Sequence, residues 1–290
     1  MISWIIAKTT FGDAMRQKTL QIFLIVALAL IIMSFAFANT LTFTTQSATG
    51  DLSFIKNFGL GMITLAGILI CVMTGVYMIP REVERKTIYT ILSKPVNRWE
   101  FILGKMIGCW LTLAAAVGLM GVIFVLIVTC KAMLLSGSNA ASSTAVAAGL
   151  KDAAAGAHIQ IFDINMVYGV ILAYLQSALL SSVIIMFSVI VTPTVNFFLG
   201  IGVYIVGSLI TIIETLKNTA TDLSPVIKFL YNVFYMIIPN FDLYNVTNTL
   251  LHPNANPVTW GYIGYLLIYS LFYSLMATLI AIIVFYNKEV

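Results

Sequence analysis

Charged residues are scarce in this sequence of 290 residues. Asp, Glu, Lys and Arg together make up 9% of the chain, whereas hydrophobic residues make up 60%, and the mean hydropathy is +1.01. A soluble domain of this length has about 25% charged residues. The shortage therefore excludes a soluble protein and indicates one that is embedded in a membrane.

Side chains and motifs that serve catalysis or metal binding are also rare. The two histidines, His158 and His252, lie in separate polar segments, and we expect both to be solvated. The three cysteines (Cys71, Cys109 and Cys130) lack C-x-x-C spacing, which supports neither a disulfide nor a metal site. The phosphate-binding pattern G-x-x-x-x-G-K-[ST] is absent, as are H-E-x-x-H and G-x-S-x-G. We expect a chain that is not an enzyme and holds no cofactor or metal of its own.

Long uncharged runs make up most of the sequence. A membrane-spanning helix needs about 20 apolar residues, and these runs supply six such helices. The fourth and fifth helices share one run, which Pro193 is expected to divide into a tight hairpin because proline interrupts a helix. The predicted fold class is an all-α membrane protein with six transmembrane helices in a single domain over residues 1–290. The predicted spans are 19–38, 58–79, 105–129, 166–191, 195–213 and 261–286.

The distribution of positive charge predicts a topology. With six spans, both termini lie on the same side as the loops after the second and fourth spans. Ten of the fifteen Lys and Arg residues belong to this side, among them Lys8, Arg16 and Lys288. Because Lys and Arg are enriched in cytoplasmic loops, both termini are predicted to be cytoplasmic.

Two segments outside the spans differ in composition from simple turns. Residues 1–18 place Trp4, Phe11 and Met15 on one helical face, which favours an interfacial helix along the cytoplasmic leaflet. A frayed basic leader is the alternative for this segment. Residues 130–165 form an outer loop rich in Ala, Ser and Gly, parts of which suit a helix.

A third segment, the outer region 214–258, contains an apolar and aromatic stretch over residues 229–241. Its 13 residues cover about 20 Å as a helix, too little to cross a hydrocarbon core about 30 Å thick. We therefore predict a re-entrant segment, with a surface helix that merely caps the bundle as the alternative. The residues predicted for it are Tyr235, Pro239, Asn240, Phe241 and Asp242, where the proline and asparagine allow the chain to turn back.

The densest polar segment, residues 79–105, reads IPREVERKTIYTILSKPVNRWEFILGK and holds six of the fifteen Lys and Arg residues. Apolar and charged residues recur at helical spacing from Pro80 to residue 92, which predicts a short amphipathic helix that Pro95 ends. Asn97 and Glu100 approximate a capping box for the third span. The cytoplasmic loop 80–104 is thus predicted to be a rigid structure that projects into the cytoplasm. The alternative is a solvated loop whose charges only set the topology.

This segment resembles a known family. Residues 82–105 match E-x-E-x-K-T-I-x-x-I-L-S-K-P-V-x-R-x-E-x-x-x-G-K, which resembles the cytoplasmic signature of type-two ABC exporter permeases. The sequence P-N-F-D that begins at Pro239 resembles a motif before the last span of that family. The likeness in topology extends over essentially the whole chain, although the long Ala/Ser-rich outer loop departs from the pattern. The coupling-helix residues that the resemblance implies are Glu82, Glu84, Arg85, Lys86, Ile88, Ile91, Lys94, Pro95 and Arg98.

The resemblance implies a permease subunit that couples ATP hydrolysis by a separate ATPase to export across the cytoplasmic membrane of a prokaryote. The implied partners are two copies of an ABC ATPase, which bind ATP and Mg, and a second permease subunit, identical or homologous. Membrane lipid is a further partner, and nucleic acid is not expected. The re-entrant segment would help to form an outer gate.

Two other functions stay open at the level of sequence. The first is a non-transporting mechanotransmitter or scaffold, which the same ATPase would drive to act on an extracytoplasmic partner. The second is an ATP-independent channel or carrier. Ion-coupled carriers usually need ionisable residues in the membrane, and the predicted membrane core contains no Asp, Glu, Lys or Arg, which argues against a carrier.

Overall fold

The computed structural model describes residues 2–41, 48–80, 98–146, 164–219, 238–245 and 259–287. These residues form seven α-helices and a short 3-10 helix, Asp242–Tyr244, between the last two of them. The α-helices are α1 (Ile2–Met15), α2 (Lys18–Leu41), α3 (Ala48–Met78), α4 (Arg98–Val146), α5 (Ile164–Ile190), α6 (Pro193–Thr219) and α7 (Trp260–Asn287).

Six of these helices, α2 to α7, are long and apolar enough to cross a membrane. This confirms the predicted all-α fold with six transmembrane helices. Each spanning section overlaps the span predicted from the uncharged runs. The sections are Lys18–Ala36, Ser53–Met78, Trp99–Leu134, Ile164–Ile190, Pro193–Thr211 and Trp260–Tyr286.

The hairpin between α5 and α6 forms at the predicted proline. Pro193 is the first residue of α6, a position where the missing backbone N–H costs little. Asn196, in the first turn of α6, is fully buried and donates from Nδ2 to the carbonyl oxygen of Ile184 at 3.1 Å. This side chain therefore ties the start of α6 back to the end of α5.

The central helix of the bundle is α5, which contacts α3, α4, α6 and α7. It is antiparallel to α4, because Gly121 of α4 faces Val170 while the indole Nε1 of Trp110 donates to the carbonyl oxygen of Ala178 at 3.1 Å. The opposite directions of α4 and α5 are those expected for two successive helices of a chain that crosses a membrane repeatedly.

The longest helix, α4, has 49 residues, which is about 74 Å at 1.5 Å per residue. It begins at Arg98, next to the predicted cap position, and it continues well beyond the predicted third span at both ends. Its Ala-rich last part over residues 140–146 lies within the predicted outer loop, and alanine is the residue with the highest helix propensity.

Close backbone contact joins α1 to the beginning of α4. A Cβ atom on Gly104 would lie 2.8 Å from the Cβ of Ile6, and one on Gly108 would lie 2.7 Å from the Cβ of Thr10. The two glycines are one helical turn apart and present a flat surface to α1, as small-x-x-x-small pairs do in membranes. Because residue numbers rise together along both helices, α1 runs in the same direction as the start of α4.

The buried side chains of α1 include small residues. Ala7 and Ala14 are buried, whereas Trp4 of the predicted apolar face is 61% exposed. Residues 2–15 are helical. The position of α1 at a membrane surface stays a prediction.

Replacing Gly104 with Leu is expected to destabilise the protein by about 1–3 kcal/mol, the usual cost of overpacking. The new side chain would meet the carbonyl oxygen of Ser3 at 2.8 Å, and a backbone atom of a helix cannot move aside as a side chain can. Thermal unfolding of the purified protein in detergent measures the effect. Gly118→Leu is the matched control, because this glycine of α4 has nothing within 4 Å of an added Cβ. Equal melting temperatures for the two variants would contradict the role of the α1–α4 contact.

Candidate functional site

Residues 238–245, here called the outer segment, lie between α5, α6 and α7. Four of the five residues predicted for the re-entrant region belong to it: Pro239, Asn240, Phe241 and Asp242. Tyr235 lies outside the described residues.

The anchor of the outer segment is Phe241, which is fully buried. Its backbone N–H donates to the carbonyl oxygen of Gly207 in α6 at 3.1 Å, and its ring packs against Tyr204 with 5.7 Å between ring centroids. A Cβ on Gly207 would lie 2.5 Å from the Phe241 ring and 2.6 Å from the carbonyl oxygen of Pro239. Glycine is therefore required at position 207 for the segment to approach α6 so closely.

Polar contacts extend this anchor to α5. The buried Gln176 donates from Nε2 to the carbonyl oxygen of Phe241 at 3.4 Å. Polar side chains are rare within membrane helices because unpaired polar groups are costly there. Gln176 thus connects the backbone of the outer segment to α5, as Gly207 connects it to α6.

Asn240 joins the outer segment to two helices at once. Its backbone N–H donates to the hydroxyl oxygen of Tyr269 in α7 at 3.0 Å, and its Nδ2 donates to Oγ1 of Thr211 in α6 at 3.3 Å. Its Oδ1 accepts the backbone N–H of Asp242 at 2.9 Å, which closes a local turn. One asparagine side chain therefore satisfies the turn and also holds α6 beside it.

Tyrosines hold the C-terminal part of the outer segment against α7. The Tyr262 hydroxyl donates to the carbonyl oxygen of Leu243 at 2.6 Å, and Tyr244 is buried with its hydroxyl 3.5 Å from the carbonyl oxygen of Leu266. Burial, with a smaller contribution from Tyr269, raises the pKa of Tyr244 above its usual value.

A cavity of about 420 Å³ lies beside the outer segment. Its walls are the middle of α3, one face of α5, one face of α6 and the outer segment itself. Among the described residues, no group of three or more His, Cys, Asp or Glu side chains is placed to hold a metal ion there or elsewhere. The described lining residues are Leu60, Gly61, Thr64, Leu65, Ile68, Leu69, Gly169, Gln176, Ile201, Tyr204, Ser208, Phe241, Asp242, Tyr244 and Asn245.

The predicted coupling segment falls largely on residues 81–97, which lie outside the described residues. Of the residues predicted for it, Arg98 alone is described, as the first residue of α4. The predictions for Glu82, Glu84, Arg85, Lys86, Ile88, Ile91, Lys94 and Pro95 are therefore untested.

The structure does describe the two helix ends from which this segment emerges, here called the stem: residues 76–79 and 98–108. Val76 and Ile79 of the stem are buried, as are Phe101 and Ile102. The segment is thus attached to well-packed helix ends.

The stem is held on two sides by other helices. On one side, α1 packs against Gly104 and Gly108, as described above. On the other side, the Phe101 ring stacks on Phe285 of α7 with 6.0 Å between centroids, and Oγ1 of Thr278 lies 2.8 Å from Sδ of Met106. A displacement of the stem would therefore also displace α1 and α7.

Lys105 has a different environment from the one its charge suggests. In the sequence it counts as one more cation of the polar segment, yet it is 6% exposed in the structure. Its Nζ lies 5.7 Å from the centroid of the Phe101 ring, within the range of a cation–π interaction. Lys105 therefore packs within the stem and also contributes a positive charge to it.

Gly207→Ala is expected to loosen the outer segment, because the added methyl group would meet the Phe241 ring and the Pro239 carbonyl oxygen. The amide of Phe241 should exchange its hydrogen at least about tenfold faster, which corresponds to a loss of about 1.4 kcal/mol in local opening free energy. Hydrogen–deuterium exchange with mass spectrometry measures this. Gly202→Ala on the same helix is the control, since an added Cβ there has nothing within 4 Å. Unchanged exchange in Gly207→Ala would show that this contact does not hold the segment.

Comparison with known proteins identifies the family. Residues 4–290 match the family model described as ABC-2 family transporter protein. No curated protein matches the chain. The family match covers nearly the whole chain, and it agrees with the six membrane-spanning helices of the structure. The chain belongs to the ABC-2 transporter family, whose members are transmembrane permease components of ABC transporters.

Proposed function

We propose that this permease is a subunit of an ABC exporter in which a separate ATPase drives movement of a substrate out of the cytoplasm. The observation that carries the proposal is the family match over residues 4–290. A charged segment between α3 and α4 and a cavity beside the outer segment are the two features that such a mechanism needs. ATP and Mg would bind to the ATPase.

The coupling surface is assigned to residues 82–98. Its acidic and basic residues, with Glu82, Glu84, Arg85 and Lys86 at its start, suit a groove of complementary charge on the ATPase. Support for the assignment comes from the stem. A force applied to residues 81–97 enters two buried helix ends and not a loose loop, so it is transmitted as a movement of whole helices.

Such a switch requires a defined amount of binding energy. Moving a two-state equilibrium from 1:99 to 99:1 requires about 5.5 kcal/mol of differential binding. In our proposal the ATPases bind the coupling segment differently with and without ATP, and the stem passes this difference to α1 and α7. The outer segment, with Pro239, Asn240, Phe241 and Asp242, and with Tyr235 before it, would act as the outer gate.

The functional unit is proposed to contain two permease subunits, identical or homologous, and two ATPases. Large apolar faces on α2, α6 and α7 support this arrangement, because the most apolar stretches of these helices are only 22–28% buried within one chain. In a membrane such faces contact lipid or another subunit.

The runner-up is a mechanotransmitter that moves an extracytoplasmic partner and transports nothing. It uses the same ATPase and the same coupling segment. The cavity favours transport over this alternative, because a purely mechanical device needs no space for a ligand among its helices.

The coupling assignment is tested by reversing Glu82 and Glu84 to Lys. Insertion into the membrane should be unchanged, because both positions belong to the charged segment that the sequence places between the second and third predicted spans. Stimulation of ATP hydrolysis by the partner ATPase should be lost, since the charges facing its groove are reversed. Reconstituted complexes in nanodiscs provide the measurement, with Asp13→Lys on α1 as the control for charge reversal elsewhere. Unchanged hydrolysis and assembly in the Glu82/Glu84 double variant would exclude this segment as the coupling surface.

The proposed orientation is tested by cysteine labelling of intact cells. The background replaces Cys71, Cys109 and Cys130 with Ala, and a membrane-impermeant maleimide is added from outside. Ser142→Cys should be labelled, whereas Lys86→Cys and Lys288→Cys should react only after the cells are permeabilised. External labelling at position 86 would invert the topology.

A further inference from the structure

The cavity beside the outer segment lies between α3, α5 and α6. Residues 60–69 of α3 and 169–176 of α5 form its walls. The two helices run side by side at this level, where a Cβ on Gly67 would lie 3.6 Å from the Cβ of Ser177. Both α3 and α5 run inward in the proposed topology, which places the cavity in the outer half of the membrane. Its volume of about 420 Å³ lies within the range of about 300–1,000 Å³ found for small-molecule sites.

Two hydroxyl groups on the cavity wall donate their hydrogens to the protein itself. The Thr64 hydroxyl donates to the carbonyl oxygen of Leu60 at 3.0 Å, and the Ser208 hydroxyl donates to that of Tyr204 at 2.9 Å. The wall therefore presents these two hydroxyl groups to a ligand as acceptors.

Gln176 also offers a hydrogen-bond acceptor to a ligand in the cavity. Its Nε2 donates to the Phe241 carbonyl oxygen, so one of its two N–H bonds is engaged and its carbonyl oxygen is a further acceptor. Asp242, whose ionised carboxylate only accepts hydrogen bonds, is the one residue with a formal charge among the described lining residues.

The rest of the wall is apolar. Leu60, Leu65, Ile68, Leu69 and Ile201 cover the α3 and α6 sides. Apolar walls with a few polar groups on one side are typical of sites that bind amphiphilic small molecules, and the polar groups fix the orientation of the ligand. Here those polar groups favour a ligand that donates hydrogen bonds and carries positive charge.

From this combination we infer that the cavity binds amphiphilic organic amines, with the ammonium group toward Asp242 and the apolar body between α3 and α6. An ammonium group supplies three donors and a positive charge, which complement the acceptors and the carboxylate. The inference deepens the proposed export function: it takes the ligand of this cavity to be the substrate.

The test uses dansylcadaverine, a primary amine on a five-carbon chain with a dansyl fluorophore. Its N-acetylated form is the matched neutral probe, because it keeps the chain and the fluorophore but loses the charge. Binding to the permease alone in nanodiscs is followed by the rise in dansyl fluorescence, with protein-free nanodiscs as the blank. The amine should bind about tenfold or more tightly than its acetylated form, as a charge-assisted hydrogen bond predicts.

Two variants locate the site. Asp242→Asn should weaken the amine about tenfold and leave the acetylated probe unchanged, whereas Asp13→Asn on α1 should change neither. Gly61→Leu should abolish binding of both probes, because Gly61 lines the cavity and an added Cβ has nothing within 4 Å. The leucine can therefore fill the space without displacing a neighbour, and Gly118→Leu on α4, equally open, should have no effect.

The outcomes separate this inference from the proposed function. Equal binding of both probes, or unchanged amine binding in Asp242→Asn, would overturn the assignment to cations. Normal binding in Gly61→Leu would show that the probes bind elsewhere, and the cavity assignment would be wrong. Since binding is measured without the ATPase, a permease that binds the amine but stimulates no ATP hydrolysis would contradict only the coupling proposal. Intact coupling without amine binding would contradict only this inference.

Discussion

The position of the outer segment depends on one backbone hydrogen bond, from the N–H of Phe241 to the carbonyl oxygen of Gly207. Irregular backbone is tolerated among membrane helices only where its polar groups find partners within the protein. The missing side chain of Gly207 allows the outer segment to reach α6 and form this bond. Together with the hydrogen bond from Gln176 to the Phe241 carbonyl oxygen, this bond holds the segment in place as one wall of the cavity.

Glycine also governs the opposite end of the bundle, where Gly104 and Gly108 admit α1. Membrane helices gain no hydrophobic driving force from meeting each other, so close packing of backbones is a main source of attraction between them. At the stem this packing joins α1 to α4, and the stacked rings of Phe101 and Phe285 join α4 to α7. At Gly207, the same device joins α6 to the outer segment, which forms no α-helix in its described residues. Both places proposed to move during the cycle are therefore held by contacts that a single methyl group would disturb.

The sequence predicts those parts of the fold that depend on local composition. Five uncharged runs, one of them long enough for two crossings, lead to six helices, and Pro193 places a hairpin where the structure has it. The close contacts of Gly207 and Gln176 with Phe241 were not predicted, because they pair residues that are far apart in the chain. The pair Gly104 and Gly108 has the small-x-x-x-small pattern in the sequence. The sequence alone does not show that α1 is the helix that packs against this pair. The coupling residues from Glu82 to Pro95 lie outside the described part of the chain, and their role rests on the family.

Burial indicates which helices are suited to move. α5 has 72% of its most apolar stretch buried, and α3 has 61%, whereas the figure for α6 is 22%. Rearranging α3 against α5 would break a densely packed interface, where even small changes of volume are costly. Among the described residues, α6 contacts α5, α3 and the outer segment. Because so little of it is buried, moving it disturbs fewer packed side chains than moving α3 or α5 would. We therefore expect the cavity to open on the α6 side, with α3 and α5 as the fixed wall and the Phe241–Gly207 bond travelling with the moving one.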